Sequence, residues 1–170
     1  PAVALAFPED AAALGDLANN QCGELGWHHA MPFTSPLLNG ETCRQFADKF
    51  TAATGKQWNQ SLNHFVIFDW TYDVLKRTAN VDDKNSIIEA VKSTKMETIG
   101  GPLDFTVPVE TQVKVGAGLI SANCYKTPLF GNQWRKAPVG SQFPYESVIV
   151  SNVAGTMVPK QGDVQPMVYS

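Results

Sequence analysis

Charge is scarce in this chain. Asp, Glu, Lys and Arg make up 17% of its 170 residues, against about a quarter in ordinary globular proteins. The net charge is -3, so the basic footprint of a nucleic-acid partner is missing. No apolar run is long enough to span a bilayer. No basic stretch leads into an apolar core and a cleavage site, as a signal peptide would. Cysteine is sparse: Cys22, Cys43 and Cys124 form no Cys-x-x-Cys pair, which excludes a zinc knuckle or a thioredoxin-like motif. There is no Gly-x-Ser-x-Gly elbow and no phosphate loop ending in Gly-Lys-Ser/Thr. Gly116-Ala117-Gly118 lacks the third glycine and the helix that a dinucleotide site needs. What is plentiful is apolar surface, at 44% of residues, which argues against disorder and for a folded chain of about one domain's size.

Residues 1–7 read as a short buried strand and Pro8-Glu9-Asp10 as a turn, with Asp10 capping a short helix over Ala11 to Leu17. The opening has no Met and is already hydrophobic, which suggests a strand entered midway or a chain cut from something longer. Gly23 to Ala30 alternates Leu25 and Trp27 as a strand would. Pro32 and Pro36 then make an extended crossing segment.

The clearest helix runs from Glu41 to Thr54. Cys43, Phe46, Ala47, Phe50 and Ala53 form one apolar face, and Gly55 supplies the stop. A second helix, about Ser61 to Ala79, carries Leu62, Phe65, Val66, Phe68, Trp70, Tyr72, Val74 and Leu75. So apolar a helix is expected to be packed on most sides, with Lys76-Arg77 at the negative end of its dipole. Asp82 or Asp83 caps a third helix whose buried stripe is Ile87, Ile88 and Val91. Beyond Gly100-Gly101-Pro102 the chain turns to short strands at Leu103 to Val109, Lys114 to Ala122 and Ser147 to Ser151. Phe130 to Trp134 reads as a turn leading into another strand. The whole is an α/β assembly with too few strands for a full doubly wound sheet.

Chemistry-bearing side chains are few. His28-His29 invites a metal, but neighbours on a strand point to opposite faces and do not share an ion. His64 has no carboxylate at ligand spacing. Glu9 and Asp10 form a candidate acid–base pair, although Asp10 is accounted for as a cap. Asn59-Gln60-Ser61 matches a glycosylation sequon. No metal and no cofactor is expected.

Longer strings say more than composition does. Gly26-Trp27-His28-His29-Ala30-Met31-Pro32-Phe33 is followed by Ser35-Pro36-Leu37-Leu38-Asn39-Gly40. Next come Phe50 to Trp58, Val74-Leu75-Lys76-Arg77-Thr78 and Ile99-Gly100-Gly101-Pro102-Leu103-Asp104-Phe105. Lys126 to Arg135 closes the series. In this order the strings resemble the C-terminal half of the branched-chain amino acid type of periplasmic solute-binding protein, the extracellular ligand-binding receptor family.

The resemblance covers nearly the whole chain and implies a partial type I periplasmic-binding-protein fold. Pieces of two α/β lobes are joined by hinge-crossing segments, without a complete Rossmann-like sheet. Residues 1–30 belong to the second lobe, 31–108 to the helical C-terminal part of the first, and 109–170 to the return segment and tail.

The implied function is solute binding without catalysis. A small amino-acid-like ligand sits between lobes that close by hinge motion, and the periplasmic protein delivers it to an ABC-type permease in the membrane. Glu9, and next Asp10, match the acidic position facing the ligand's ammonium group. Trp27 and His29 stand where a cleft wall is expected, with Asn63 and His64 as further candidates. Two other classes remain: a ligand-sensing receptor domain of the same fold, and a small secreted hydrolase using Glu9, Asp10 or the histidines. A Cys22–Cys43 disulfide is expected with Cys124 left over, the loop between them being worth about 3 kcal/mol in the chain-entropy model. The broad apolar helix faces predict self-association.

Overall fold

The computed structural model describes residues 6–107, 114–115, 118–119 and 127–167. In chain order the elements are α1 (Pro8–Leu14), β1 (Cys22–Leu25), β2 (Thr34–Ser35), β3 (Glu41–Thr42), α2 (Cys43–Thr54), α3 (Val66–Arg77) and α4 (Lys84–Lys92). Then follow β4 (Lys95–Thr98), β5 (Gly101–Asp104), β6 (Lys114–Val115), β7 (Gly118–Leu119), β8 (Phe130–Lys136) and β9 (Tyr145–Ser151). It is a mixed helix-and-strand chain with small sheets, and the ladders β1–β8–β9, β4–β5 and β6–β7 are antiparallel. No described helix is long and apolar enough to cross a membrane. The chain divides into two compact units, Pro1–Pro32 with Thr42–Asn63 and Pro128–Ser170, and Phe33–Glu41 with His64–Thr127.

The first unit is built on β8, the central strand, with β1 on one side and β9 on the other. Cys22 stands opposite Gln133, and Lys136 opposite Tyr145. The expected turn at Phe130 to Trp134 is therefore strand. Gly131 lies at a bulge, where a Cβ would come within 3.3 Å of the Ser151 Cβ; the glycine answers a close strand approach and not a turn. Trp134 and Tyr145 close over Ala11 and Ala18, and the Tyr145 hydroxyl donates to the Gly15 carbonyl at 2.5 Å. The tail is pinned by Gln133, whose Nε2 donates to the Gln165 carbonyl at 2.7 Å while its Oε1 accepts from the Gln165 N–H at 2.9 Å.

Helix α1 begins at Pro8, with Phe7 as its extended N-cap, so Asp10 lies inside the first turn and caps nothing. Proline tolerates the first helical position because its missing N–H would have no partner there. Helix α2 forms as expected. Thr42 and Gln45 make a reciprocal capping box, and Gly55 ends the helix in the left-handed region at φ 71°. Cys22 and Cys43 are separate thiols, correcting the expected disulfide. Cys22 is exposed on β1 and accepts from Gln133 Nε2 at 3.5 Å, whereas Cys43 is wholly buried at the head of α2. Residues 1–5, 108–109, 116–117, 120–122 and Cys124 fall outside the described residues, and with them most of the expected first strand and of the strand over 114–122.

The expected long helix divides into a 3-10 turn, Gln60–Phe65, and α3, which belongs to the second unit. Asp69 on α3 is 1% exposed and fully engaged. Its Oδ1 accepts from Ser35 Oγ at 2.5 Å and from the Leu37 N–H at 3.2 Å, and its Oδ2 accepts from the Ile99 N–H at 3.1 Å. One carboxylate thus holds the 35–37 loop and the β4–β5 turn to the helix. Trp70 reaches the same hairpin region, its indole N–H donating to Thr94 Oγ1 at 3.2 Å. The opposite face of α3 is open, which corrects the expectation of a helix packed on most sides: Ile67, Phe68, Tyr72 and Leu75 are exposed. On α4, Asp83 is the cap, accepting from the Asn85 N–H, and Ala90 is the buried residue while Ile88 is exposed.

Asp69→Asn replaces one acceptor oxygen with an amide that meets either the Ile99 N–H or the loop donors. We expect a loss of about 3 kcal/mol, since hydrogen bonds to a buried charge are strong and an orphaned donor adds its own desolvation. Urea melts measure it. Asp73→Asn, which removes only the partly exposed pair with Arg77, serves as the control and should cost about 0.5 kcal/mol.

Candidate functional site

Strand β1 ends at Leu25, and Gly26 bends the chain away from the sheet. The Met31 N–H closes a turn onto the His28 carbonyl at 3.0 Å. This overturns the expectation that His28 and His29 point to opposite faces: they are not on a strand, and their rings meet edge-on with centroids 4.6 Å apart. Both rest on Trp58, at 4.7 Å for His28 and 4.3 Å for His29.

His28 is fully buried, and each of its ring nitrogens is used. Nδ1 accepts from the Ala30 N–H at 3.0 Å, so the proton is on Nε2, which donates to the Ser147 carbonyl at 3.0 Å. Burial pushes its pKa down to about 4, outweighing the Ser147 hydrogen bond, and the Arg44 charge pushes the same way. His29 is brought down to about 3, first by burial and then by the neighbouring His28 and Arg44. Its Nδ1 accepts from Arg44 Nη1 at 3.0 Å.

Beside this cluster lies a cleft of about 470 Å³, within the range that holds small ligands. His29, Arg44, Trp58, Arg135, Phe143 and Glu146 contribute to its wall. A second cavity shares His29, Arg44, Trp58 and Phe143 and adds Asp48. Gln57, also in the wall, is tethered through Nε2 to the Tyr145 carbonyl at 2.9 Å. The walls are therefore held by α2, the loop after it, β8 and β9.

Of the residues singled out from the sequence, His29 lines the cleft. Trp27 is wholly buried behind it, 5.8 Å from Trp58 in an edge-on contact. Glu9 is exposed and Asp10 half-buried in the first turn of α1, and neither lines the cleft. Asn63 and His64 lie on the 3-10 turn before α3, also outside the wall; His64 is exposed, and Asn63 Oδ1 is enclosed without a hydrogen-bond partner. Sequence reasoning missed Arg44, Trp58 and Arg135. The available signal was Arg44 itself, a cation in the first turn of a helix, where the dipole favours an acid. Among the described residues no cluster of His, Cys, Asp and Glu could hold a metal ion. Searches against family models, curated proteins and solved structures return no match to this chain.

Because folding lowers the histidine pKa values below 6.5, the unfolded chain takes up protons that the folded chain refuses. Stability should therefore be level above about pH 6.5, fall as pH drops below it, and flatten only near the folded values. His28 alone accounts for a loss of about 3 kcal/mol over that window. Urea melts between pH 7 and pH 4 follow the loss, and imidazole NMR should show His28 neutral with its proton on Nε2 at pH 5. A ring titrating near 6.5 would contradict the geometry.

Proposed function

We propose that this chain is part of a type I periplasmic solute-binding protein of the branched-chain amino acid kind, serving an ABC-type uptake permease. The observation that supports it most is the way the two units are assembled. Each is made from separated segments, and the chain passes between them at 32–33, 41–42, 63–64 and 127–128. Repeated crossing is the connectivity expected of lobes that move about a hinge. The order of the Trp27-to-Phe33, Phe50-to-Trp58 and Ile99-to-Phe105 strings adds sequence support.

In this reading the ligand is amino-acid-like and is bound between lobes, and no bond is made or broken. The uncovered Ile67, Phe68, Tyr72 and Leu75 on α3 fit a lobe completed by further chain, because contiguous apolar faces are seldom left in water.

The test extends the reading frame upstream of Pro1, expresses the product whole, and titrates it by calorimetry with a panel of L-amino acids. The extended protein should bind one of them with about micromolar Kd, and the 170-residue chain alone about a hundredfold more weakly. Light scattering on the chain alone should show self-association through α3. A compact monomer with micromolar affinity, or an extended protein that binds no amino acid, would refute the proposal.

A further inference from the structure

The cleft beside His29 lies wholly within the first unit and stands independently of the two-lobe reading. Its distinctive feature is Arg44. The residue sits in the first turn of α2, at the positive end of the helix dipole, where a cation is disfavoured by a few tenths of a kcal/mol or more. Among the described residues it makes no ion pair; its recorded hydrogen bond is to an imidazole, His29 Nδ1. That bond uses one N–H of five, so most of the guanidinium fork remains available toward the cleft. Arg135 stands in the same wall, its Nη2 donating to the Asp163 carbonyl and its enclosed Nε without a hydrogen-bond partner.

We infer that this cleft binds a small monocarboxylate with an apolar body, its carboxylate held by the Arg44 fork and its body against Trp58, Phe143 and Val148. A guanidinium presents paired donors that match a carboxylate's two oxygens. His29 acts as a positioning residue: its Nδ1 accepts from Arg44 Nη1 and fixes one arm of the guanidinium. The charge balance selects a monoanion. In this cavity Arg44 and Arg135 stand with Glu146, which leaves one positive charge, enough for a monoanion and not for a phosphate dianion. Phe143 and Val148 are half-buried with part of their surface facing the opening, which leaves apolar wall for a ligand to cover.

The test is an NMR titration of the chain with sodium phenylacetate, following the backbone amides of Arg44, Gln57 and Phe143. Phenylacetamide has the same shape without the charge, and inorganic phosphate and sodium chloride at matched ionic strength are the remaining arms. Phenylacetate should give saturable shifts with Kd of about millimolar, and phenylacetamide should bind about tenfold more weakly. Arg44→Gln, at an exposed position that leaves the fold intact, should weaken phenylacetate about tenfold. Glu146→Gln should strengthen it severalfold, a gain that damage to the fold cannot imitate. Absence of saturable shifts, equal binding of the amide, tighter binding of phosphate, shifts reproduced by chloride, or an unaffected Arg44→Gln variant would each overturn the inference.

Discussion

The geometry around the cleft depends on one neutral imidazole. His28 has no exposed surface, and its two nitrogens have opposite duties: Nε2–H donates to the Ser147 carbonyl on β9, and Nδ1 accepts from the Ala30 N–H. A second proton on that ring would set two N–H groups against each other in a fully buried site. The arrangement therefore enforces the neutral tautomer sterically as well as by burial. It also anchors the bend after β1 to the far strand of the sheet, and the rest of the cluster follows. His29 is delivered to the outer side of the same turn, Trp58 lies against both rings, and Arg44 finds a nitrogen lone pair in place of a carboxylate. Met31 also holds the bend, its sulfur accepting from the His28 backbone N–H with N···S 3.1 Å.

The second unit solves the opposite problem with the opposite chemistry. A buried carboxylate is costly unless donors surround it, and Asp69 has donors from a hydroxyl and two backbone amides. Ser35 also passes its own oxygen to the Leu38 N–H at 3.2 Å, so the hydroxyl bridges helix and loop. This polar anchor decides which face of α3 turns inward. Val66, Asp69 and Val74 are buried, whereas the bulkier Phe68 and Tyr72 remain outside. Summed hydrophobicity would have put the aromatic face inside. Satisfying three separate donors at once is the stronger constraint.

Local chemistry was legible in the sequence and distant pairing was not. The stop of α2 at Gly55, and a cap for α4 at Asp82 or Asp83, were readable because caps involve residues within a turn of one another. By contrast, β8 owes its existence to β1, whose Cys22 lies more than a hundred positions before its partner Gln133, and to β9 on the other side. A Phe-Gly-Asn string carries a turn signal locally, and the sheet overrides it. The same applies to the site. His29 attracted notice as part of a histidine pair, but its meaning changed once Gly26 had bent the chain and brought both rings to Trp58. Trp58 stands in a polar loop with no periodic neighbours, and Arg135 follows a string, Phe130 to Trp134, read as a turn leading into a strand. Neither offers a pattern that points to a cleft. The expected turn at Pro8-Glu9-Asp10 shows the converse, since it became the first turn of α1 once Pro8 took the first helical place.

Arg44 and His29 together raise the question of why a cation is kept at the wrong end of a helix. The capping box already satisfies the first amides of α2 through Thr42 and Gln45, so the guanidinium is not needed there for helix stability. Asp48 stands one turn further along on the same helix, at the spacing for an ion pair, yet no such pair is formed. The fork is instead drawn toward His29. Had an acid replaced His29, the pair would have neutralised itself and closed the cleft to anions. A charged histidine would have pushed the guanidinium away. A neutral ring holds the arm and leaves its charge unspent, and the neutrality of His29 follows first from its burial and then from the neighbouring His28 and Arg44. His28, which does not line the cleft, contributes by holding the turn that carries His29.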